Sequence, residues 1–208
     1  MTRDEMIARI QDATGVADGK LVTSLPDWPD EALHTLGHPG TGEADRLWEI
    51  FGERFRAVHG RLIDGLANGI ACLREQKAAH GYLCPTLVNP LQSALAAEGV
   101  QTETVFDPKR IDEYTFGITR AAGLIAETGT LVLKESLTSS RLAALAPWVH
   151  IAVADERTPW YADPLEAIQD LGDDVCTIFV TGPSKTADVE GILIEGVHGP
   201  GVQICLRL

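Results

Sequence analysis

The sequence predicts an α/β fold in which a mostly parallel sheet is flanked by helices. Its second half alternates short apolar runs with segments whose apolar residues recur at helical spacing. A strand that is buried on both faces of a parallel sheet is a near-continuous apolar run, and repeated alternation of such strands with helices is typical of three-layer α/β domains. A length of 208 residues provides for one sizeable core rather than two.

The N-terminal part differs in composition from the rest of the chain. Met1–Asp12 is expected to form a short helix, and the residues that follow it are rich in glycine, proline and aspartate, which interrupt regular structure. We therefore predict a partly irregular N-terminal arm over residues 1–42 and a single α/β domain over residues 43–208.

Periodicity and turn residues place the elements of this domain in order. Leu47, Phe51 and Phe55, for example, recur at helical spacing. Helices are predicted over residues 44–58, 67–79, 88–95, 139–145, 164–171 and 187–194. Strands are predicted over residues 81–84, 102–106, 116–119, 130–133, 149–154, 175–180 and 202–206.

Charge and composition argue against several classes of protein. The formal net charge of −13 is the opposite of what a nucleic-acid-binding surface needs. No apolar run reaches about 18 residues, so we expect no membrane span, and the first residues are too charged for a secretory signal, so we expect a cytoplasmic protein. The 4 cysteines stand far apart without a CxxC pair, so this chain is expected to hold no metal ion and no iron–sulfur cluster of its own.

A polar turn stands directly before one of the apolar runs. Glu127 is followed by Thr128, Gly129 and Thr130, and the strand Leu131–Leu133 comes next. Gly129 can adopt backbone angles that are closed to other residues, so the hydroxyls and amides around it can converge on an anion. Glu127 is a candidate nucleophile or general base, and the alternative is a structural carboxylate that fixes the turn.

A second polar loop follows the apolar run at residues 175–180. Its candidate ligand-binding residues are Gly182, Ser184, Lys185, Thr186 and Asp188. Hydroxyl groups, a lysine cation and the free amides of a following helix suit a phosphate or a carboxylate. The alternative is that these side chains only cap that helix.

Two histidines near predicted strand ends, His150 and His198, are candidates for proton transfer, and His198 is the candidate catalytic residue of the two. The alternative for each is a structural histidine with satisfied hydrogen bonds. Because the carboxyl ends of parallel strands share one edge of a sheet, we expect Glu127, the Ser184 loop and His198 to lie around one cleft.

Four segments together resemble the LUD domain of the lactate utilization protein C family. They occur in order between Phe106 and Leu208 and read GITRAAGLIAETGTLVL, RLAALAPWVHIAV, VTGPSKTADVEGILIEGVHGP and VQICLRL. The resemblance implies a fold of the NagB/RpiA/CoA-transferase-like kind, which agrees with the parallel sheet predicted above.

The resemblance also implies a role in oxidising L-lactate to pyruvate, as one component of a multi-protein iron–sulfur system in which a separate subunit supplies the clusters. Iron–sulfur protein subunits are thus the expected partners, and a small anion is the expected ligand of the strand-end loops. Two alternatives remain. One is a stand-alone CoA-transferase-like or sugar-phosphate enzyme that uses Glu127, and the other is a protein-interaction module.

Overall fold

The computed structural model describes residues 5–6, 8–9, 44–138, 140–187 and 193–208. The chain divides into two units, Met1–Gly37 and His38–Leu208, and every strand reported below belongs to the second. The described residues of the first unit are helical. Most of the arm predicted over residues 1–42 lies outside the described residues, so its boundary stays a prediction.

The second unit alternates helices and strands along the chain. Its α-helices are α1 (Ala44–Ala57), α2 (Leu66–Glu75), α3 (Val88–Ala97), α4 (Glu135–Thr138), α5 (Leu142–Leu145) and α6 (Pro164–Gln169), with 3-10 turns at Pro85–Leu87 and Pro108–Glu113. Its strands are β1 (Arg61–Asp64), β2 (His80–Leu83), β3 (Gln101–Glu103), β4 (Phe116–Arg120), β5 (Gly123–Ile125), β6 (Thr130–Lys134), β7 (Val149–Ala154), β8 (Trp160–Tyr161), β9 (Thr177–Val180), β10 (Lys185–Ala187), β11 (Leu193–Glu195) and β12 (Val202–Arg207).

The central sheet has six strands in the order β1-β12-β7-β4-β2-β3, and every neighbouring pair is parallel. This confirms the predicted parallel sheet flanked by helices. The sequence analysis missed β1, because this edge strand has only four residues, of which the first and last are charged.

Both faces of the central sheet are buried, as a parallel sheet requires. Successive side chains of a strand point to opposite faces. In β7, accordingly, Ile151 and Val153 pack into a core with α2 and α3, whereas Ala152 and Ala154 pack into a second core with Phe51 of α1. The small residues on the second face leave room for a further sheet above them.

That further sheet has four strands in the order β8-β5-β6-β9. β6 is antiparallel to both β5 and β9, while β8 is parallel to β5. The sequence predicted β6 and β9 but assigned them to one parallel sheet, which is wrong. It did not predict β5 and β8, which have three and two residues.

After β9, the strands β10 and β11 pair with each other in antiparallel orientation, with Lys185 opposite Glu195. The helix predicted over residues 187–194 is therefore wrong at Ala187, Leu193 and Ile194, which lie in strands. Residues 188–192 lie outside the described residues. Antiparallel pairing of β10 with β11 determines the structure of these residues, and local helix signals do not report it.

In the described residues, the helix predicted over residues 139–145 is present only as α5, Leu142–Leu145, and the separate short helix α4 ends at Thr138, before the predicted range. The helix predicted over residues 164–171 is confirmed as α6, which begins where the Asp163 side chain accepts hydrogen bonds from the amides of Leu165 and Glu166.

Candidate functional site

The two polar motifs of the sequence meet at one edge of the small sheet. Thr130 begins β6, and Thr181 follows the last residue of β9, whose Val180 pairs with Leu131. The hydroxyl oxygens of Thr130 and Thr181 are 2.8 Å apart, and that of Thr128 lies 2.6 Å from Thr130. These three hydroxyls form a continuous hydrogen-bonded chain between segments that are about fifty residues apart in sequence.

The two motifs lie at one edge of the small sheet for a different reason from the one predicted. We expected both motifs at the carboxyl ends of parallel neighbours in one sheet. In the structure β5 and β9 run in the same direction because each is antiparallel to β6, which lies between them. The turn after β5 and the loop after β9 therefore come to one edge, with the start of β6 between them.

Gly129 is at this turn because helix α1 packs directly on it. Its φ of +64° is in the left-handed region, which favours glycine. A Cβ atom on this residue would lie 2.4 Å from the backbone nitrogen of Phe55 and 2.8 Å from the Cβ atom of Arg54. The backbone at Gly129 and the last helical turn of α1 thus lie so close together that residue 129 has no room for a side chain.

Glu127 is held by its backbone and not by its side chain. Its amide donates to the carbonyl of Ala162 over 3.0 Å. The side chain is half-buried, and no hydrogen bond or ion pair with another described residue engages its carboxylate. The carboxylate is therefore available to a ligand, and the catalytic role of Glu127 stays a prediction.

The second loop lies against the His198 segment. The Ser184 amide donates to the carbonyl of Pro200, and the Gly196 amide donates to the carbonyl of Ser184, each over 2.9 Å. A Cβ atom on Gly199 would stand 3.1 Å from the Cβ atom of Ser184. The His198 side chain is exposed. The structure thus brings the Ser184 loop and the loop of His198 together, and the cleft predicted around their side chains stays a prediction.

A charged cluster that the sequence analysis missed links the paired strands β10 and β11 to the residues just after α1. The Glu195 carboxylate lies 2.6 Å from Nδ1 of His59 and 3.5 Å from Nζ of Lys185. The hydrogen bond to His59 lowers the pKa of Glu195 below its ordinary value, against the opposing effect of burial. His59 has a φ of +72°, and nothing in the local sequence indicates that it faces a residue so distant along the chain.

A small cavity lies beside the threonine chain and this cluster. Its volume is about 240 Å³, and it is lined by Val58, Thr181, Gly182, Pro183 and Lys185. Among these lining residues Lys185 carries the only charge. We call the cavity, with the turn at Glu127–Thr130 and the loop at Thr181–Ser184, the turn site.

Of the predicted ligand-binding residues, Gly182 and Lys185 line the cavity itself. Thr128, Gly129, Thr130 and Ser184 lie in the turn and loop of the turn site, whereas Thr186 and Asp188 belong to neither. Thr186 is half-buried in β10, where it pairs with Ile194, and it does not line the cavity. Asp188 lies outside the described residues. Their roles stay predictions.

His150 is a structural histidine of the central sheet. It is fully buried, with Nε2 2.8 Å from the Thr119 hydroxyl and Nδ1 2.9 Å from Oε1 of Gln203. Because the amide oxygen can only accept, Nδ1 carries the proton and Nε2 accepts from Thr119. Burial lowers the pKa of His150 to about 4, so the ring is neutral near neutral pH.

A larger cleft, of about 530 Å³, lies at the carboxyl edge of the central sheet. Its floor is formed where β1, β7 and β12 end, and Trp48 of α1 and Trp160 of β8 form its walls. We call it the sheet-edge cleft. Sequence motifs did not indicate it, although the carboxyl ends of parallel strands are the general location of ligand sites in α/β sheets.

Two ion pairs stand at this edge. Asp155 accepts from Arg120 over 2.6 Å, and Asp64 accepts from Arg207. Burial alone would raise the pKa of Asp155, but its hydrogen bonds from Arg120 and from the Arg157 amide lower that pKa below its ordinary value. The Arg207 guanidinium carbon also lies 4.5 Å from the centroid of the Trp48 ring, a cation–π distance.

The described part of the chain lacks two features, a metal-binding cluster and a helix that could span a membrane. No group of three or more histidine, cysteine, aspartate or glutamate side chains there is arranged to hold a metal ion. None of its helices has the length and apolar character needed to cross a bilayer.

Known proteins are similar to this one over most of the chain. The LUD domain family model matches residues 92–206. A protein named Lactate utilization protein C from Bacillus licheniformis is 35% identical over 95% of this chain and 92% of its own length, and one of the same name from Bacillus velezensis is 26% identical over the same shares. A solved structure of a DUF162 family protein from Deinococcus radiodurans matches 80% of this chain and 99% of its own, with 17% identity and a TM-score of 0.47.

Proposed function

The chain belongs to the LUD domain family, and from this premise we propose that it functions in lactate utilization. The observation that carries the proposal is the 35% identity, over 95% of the chain, to a protein named Lactate utilization protein C. The specific role we propose is a subunit of an iron–sulfur system that oxidises L-lactate to pyruvate. Partner subunits hold the clusters, and this chain binds the small carboxylate.

The geometry of the turn site supports the carboxylate-binding part of the proposal. Lys185 provides a cation at the wall of the cavity, and Thr181 provides a hydroxyl group. A carboxylate accepts hydrogen bonds from both kinds of donor, and bonds to a charged group are the stronger ones. Glu195 shares Lys185 at 3.5 Å, so an entering carboxylate competes with Glu195 for this cation.

Binding of L-lactate and pyruvate to the purified chain tests this role. Lys185→Met removes the cation and keeps the length of the side chain, and we expect it to weaken binding about tenfold. Lys134→Met is the matched control, because Lys134 ends β6 at the opposite edge of the same sheet and donates to the Asp170 carbonyl. Isothermal titration gives both affinities. Equal losses in the two variants would argue against the turn site.

The partner part of the proposal has its own test. A strain that lacks this chain should fail to grow on L-lactate and should recover with the wild-type sequence. A tagged chain should co-purify with iron–sulfur proteins from cells grown on lactate, detected by iron and sulfide analysis of the isolated complex. Recovery of lactate growth without any such association would remove the complex from the proposal and retain lactate utilization.

One observation favours the alternative of an interaction module. Trp148 and Val197 are each 51% exposed, and a Cβ atom on the intervening Gly196 would lie 2.3 Å from the Trp148 ring. Large apolar side chains grouped on a surface are typical of protein contacts. Trp148→Ser would abolish co-purification and leave lactate binding intact if this surface serves docking. The alternative of a stand-alone CoA-transferase-like or sugar-phosphate enzyme using Glu127 stays a prediction.

A further inference from the structure

The sheet-edge cleft is a second cavity, separate from the turn site. Its volume of about 530 Å³ is within the usual range for small-molecule pockets. It lies at the carboxyl ends of β1, β7 and β12, whereas the turn site lies at an edge of the small sheet. The two cavities have no lining residue in common.

The walls of the cleft are aromatic and their orientation is fixed. The Trp48 and Trp160 rings meet at 86° with centroids 5.7 Å apart, and Phe51 packs behind both. Both indoles are half-buried, so each keeps part of its surface open. They form a corner whose π faces carry partial negative charge.

Charge in the cleft is strongly one-sided. Four of the described lining residues are carboxylates and one is a guanidinium. Asp64 pairs with Arg207, and Asp155 pairs with Arg120 behind the cleft wall. Asp45 and Glu156 then remain, and neither is in a hydrogen bond or ion pair with another residue of the described ranges. The unpaired carboxylates disfavour an anionic ligand such as a sugar phosphate or a CoA ester.

One cation, the Arg207 guanidinium, is already bound within the cleft. Arg207 lies over the Trp48 ring at 4.5 Å and reaches Asp64 at the same time. No described cation occupies the equivalent position at Trp160, which lies four residues from the unpaired Glu156. One half of the corner thus holds an internal guanidinium, and the other half offers the same combination of indole and carboxylate.

We propose that the sheet-edge cleft binds a small organic cation, in which a guanidinium or ammonium group contacts Trp160 and pairs with Glu156 and Asp45. The apolar chain of the ligand packs against Leu124 and Trp48. Cation–π contact and charge pairing act together on such a ligand. Neutral and anionic molecules gain neither contribution.

Agmatine, which carries a guanidinium and an ammonium on a short apolar chain, is the probe. Titration followed by tryptophan fluorescence and by calorimetry should give saturable binding of the wild-type chain at low ionic strength. The double variant Asp45→Asn and Glu156→Gln should weaken binding about tenfold, since each exposed pair contributes modestly. Glu53→Gln is the control: it removes a carboxylate from the same helix α1 but outside the cleft, and it should change the affinity less than about twofold.

Asp45 and Glu156 are exposed, so the double variant leaves the core intact and should fold as the wild type does. Trp160→Leu removes the indole ring itself and is a second, more severe test. Added sodium chloride should weaken agmatine binding, because salt screens the charge pairs. A Kd weaker than about 10 mM for agmatine would overturn the proposal. So would equal affinity in the double variant, or equal affinity for glycerol or acetate. None of these outcomes touches the lactate role, which is tested at Lys185.

Discussion

The two sheets of this protein use polar groups in opposite ways. In the central sheet the buried polar side chains satisfy one another, as Thr119, His150 and Gln203 do across three neighbouring strands. At the edge of the small sheet the threonine hydroxyls are linked, but Glu127 is in no hydrogen bond or ion pair with any described side chain. Closed polar networks stabilise a fold, whereas polar groups without partners are available for a ligand. The predictions that follow test this contrast.

The largest effect is expected at the turn. Gly129→Ala should lower the free energy of unfolding by roughly 4 kcal/mol, because the new Cβ atom meets the backbone of α1 at 2.4 Å and the residue has a left-handed φ. Urea denaturation measures the loss.

Gly172→Ala is the matched control for that variant. Gly172 has a nearly equal φ of +62°, but nothing lies within 4 Å of its added Cβ atom. It should cost only about 1 kcal/mol, the price of the left-handed conformation alone. If both variants lose equal stability, the contact between the turn and α1 contributes nothing.

The next effect concerns the pH dependence of the central sheet. Burial lowers the pKa of His150 to about 4, while an unfolded histidine has a pKa of about 6.5. The unfolded chain binds the extra proton between these values, so the stability due to neutral His150 is complete above pH 6.5 and is lost as the pH falls toward 4. The loss should reach about 3 kcal/mol.

Denaturation of the wild type and of His150→Gln between about pH 7.5 and pH 4.5 isolates this contribution. The carboxylates with lowered pKa values, such as Asp155, also reduce stability in acid, but they do so in both proteins. The difference between the two curves should therefore shrink as the pH falls. A constant difference would show that His150 is not the group responsible.

A smaller effect is expected at the carboxyl edge of the central sheet. Arg207→Lys keeps the positive charge near Asp64 but removes the planar group that lies over Trp48. The cost should be about 0.7 kcal/mol, because the site is solvent-accessible. The tryptophan emission spectrum should shift at the same time, and an unchanged spectrum would contradict the described contact.

The smallest change in stability is expected at Glu127. Glu127→Gln should alter the free energy of unfolding by less than about 0.5 kcal/mol, because no described side chain depends on the carboxylate. If Glu127 acts on the ligand, the same variant should fail to support growth on L-lactate. A variant that is both stable and fully active would assign the function of the turn site to the loop at Thr181–Ser184 alone.

Most strands of the central sheet could be predicted from the sequence, because burial on both faces makes strands such as β7 and β12 near-continuous apolar runs. It failed for short strands. β5 and β8 have three and two residues, too few to show a period, and β10 and β11 form an antiparallel pair where local signals predicted a helix.

The candidate site was predicted in part for the same kind of reason. Turn chemistry at Gly129 and the polar loop at Ser184 are visible locally, so both motifs were found. His59, Glu195 and the tryptophan corner depend on contacts over more than a hundred residues, as the 2.6 Å distance between His59 and Glu195 illustrates. No local pattern encodes such a contact.

The position of β2 has a consequence for the independence of the matched region. Residues 92–206 match the LUD domain family, yet β2 ends at Leu83 and lies between β3 and β4 in the central sheet. A fragment that begins at residue 92 would leave β3 without a neighbour and would expose the hydrogen-bonding edge of β4 to solvent. The stretch that matches the family is therefore not an autonomous folding unit, because its part of the central sheet depends on strands that precede it in the chain.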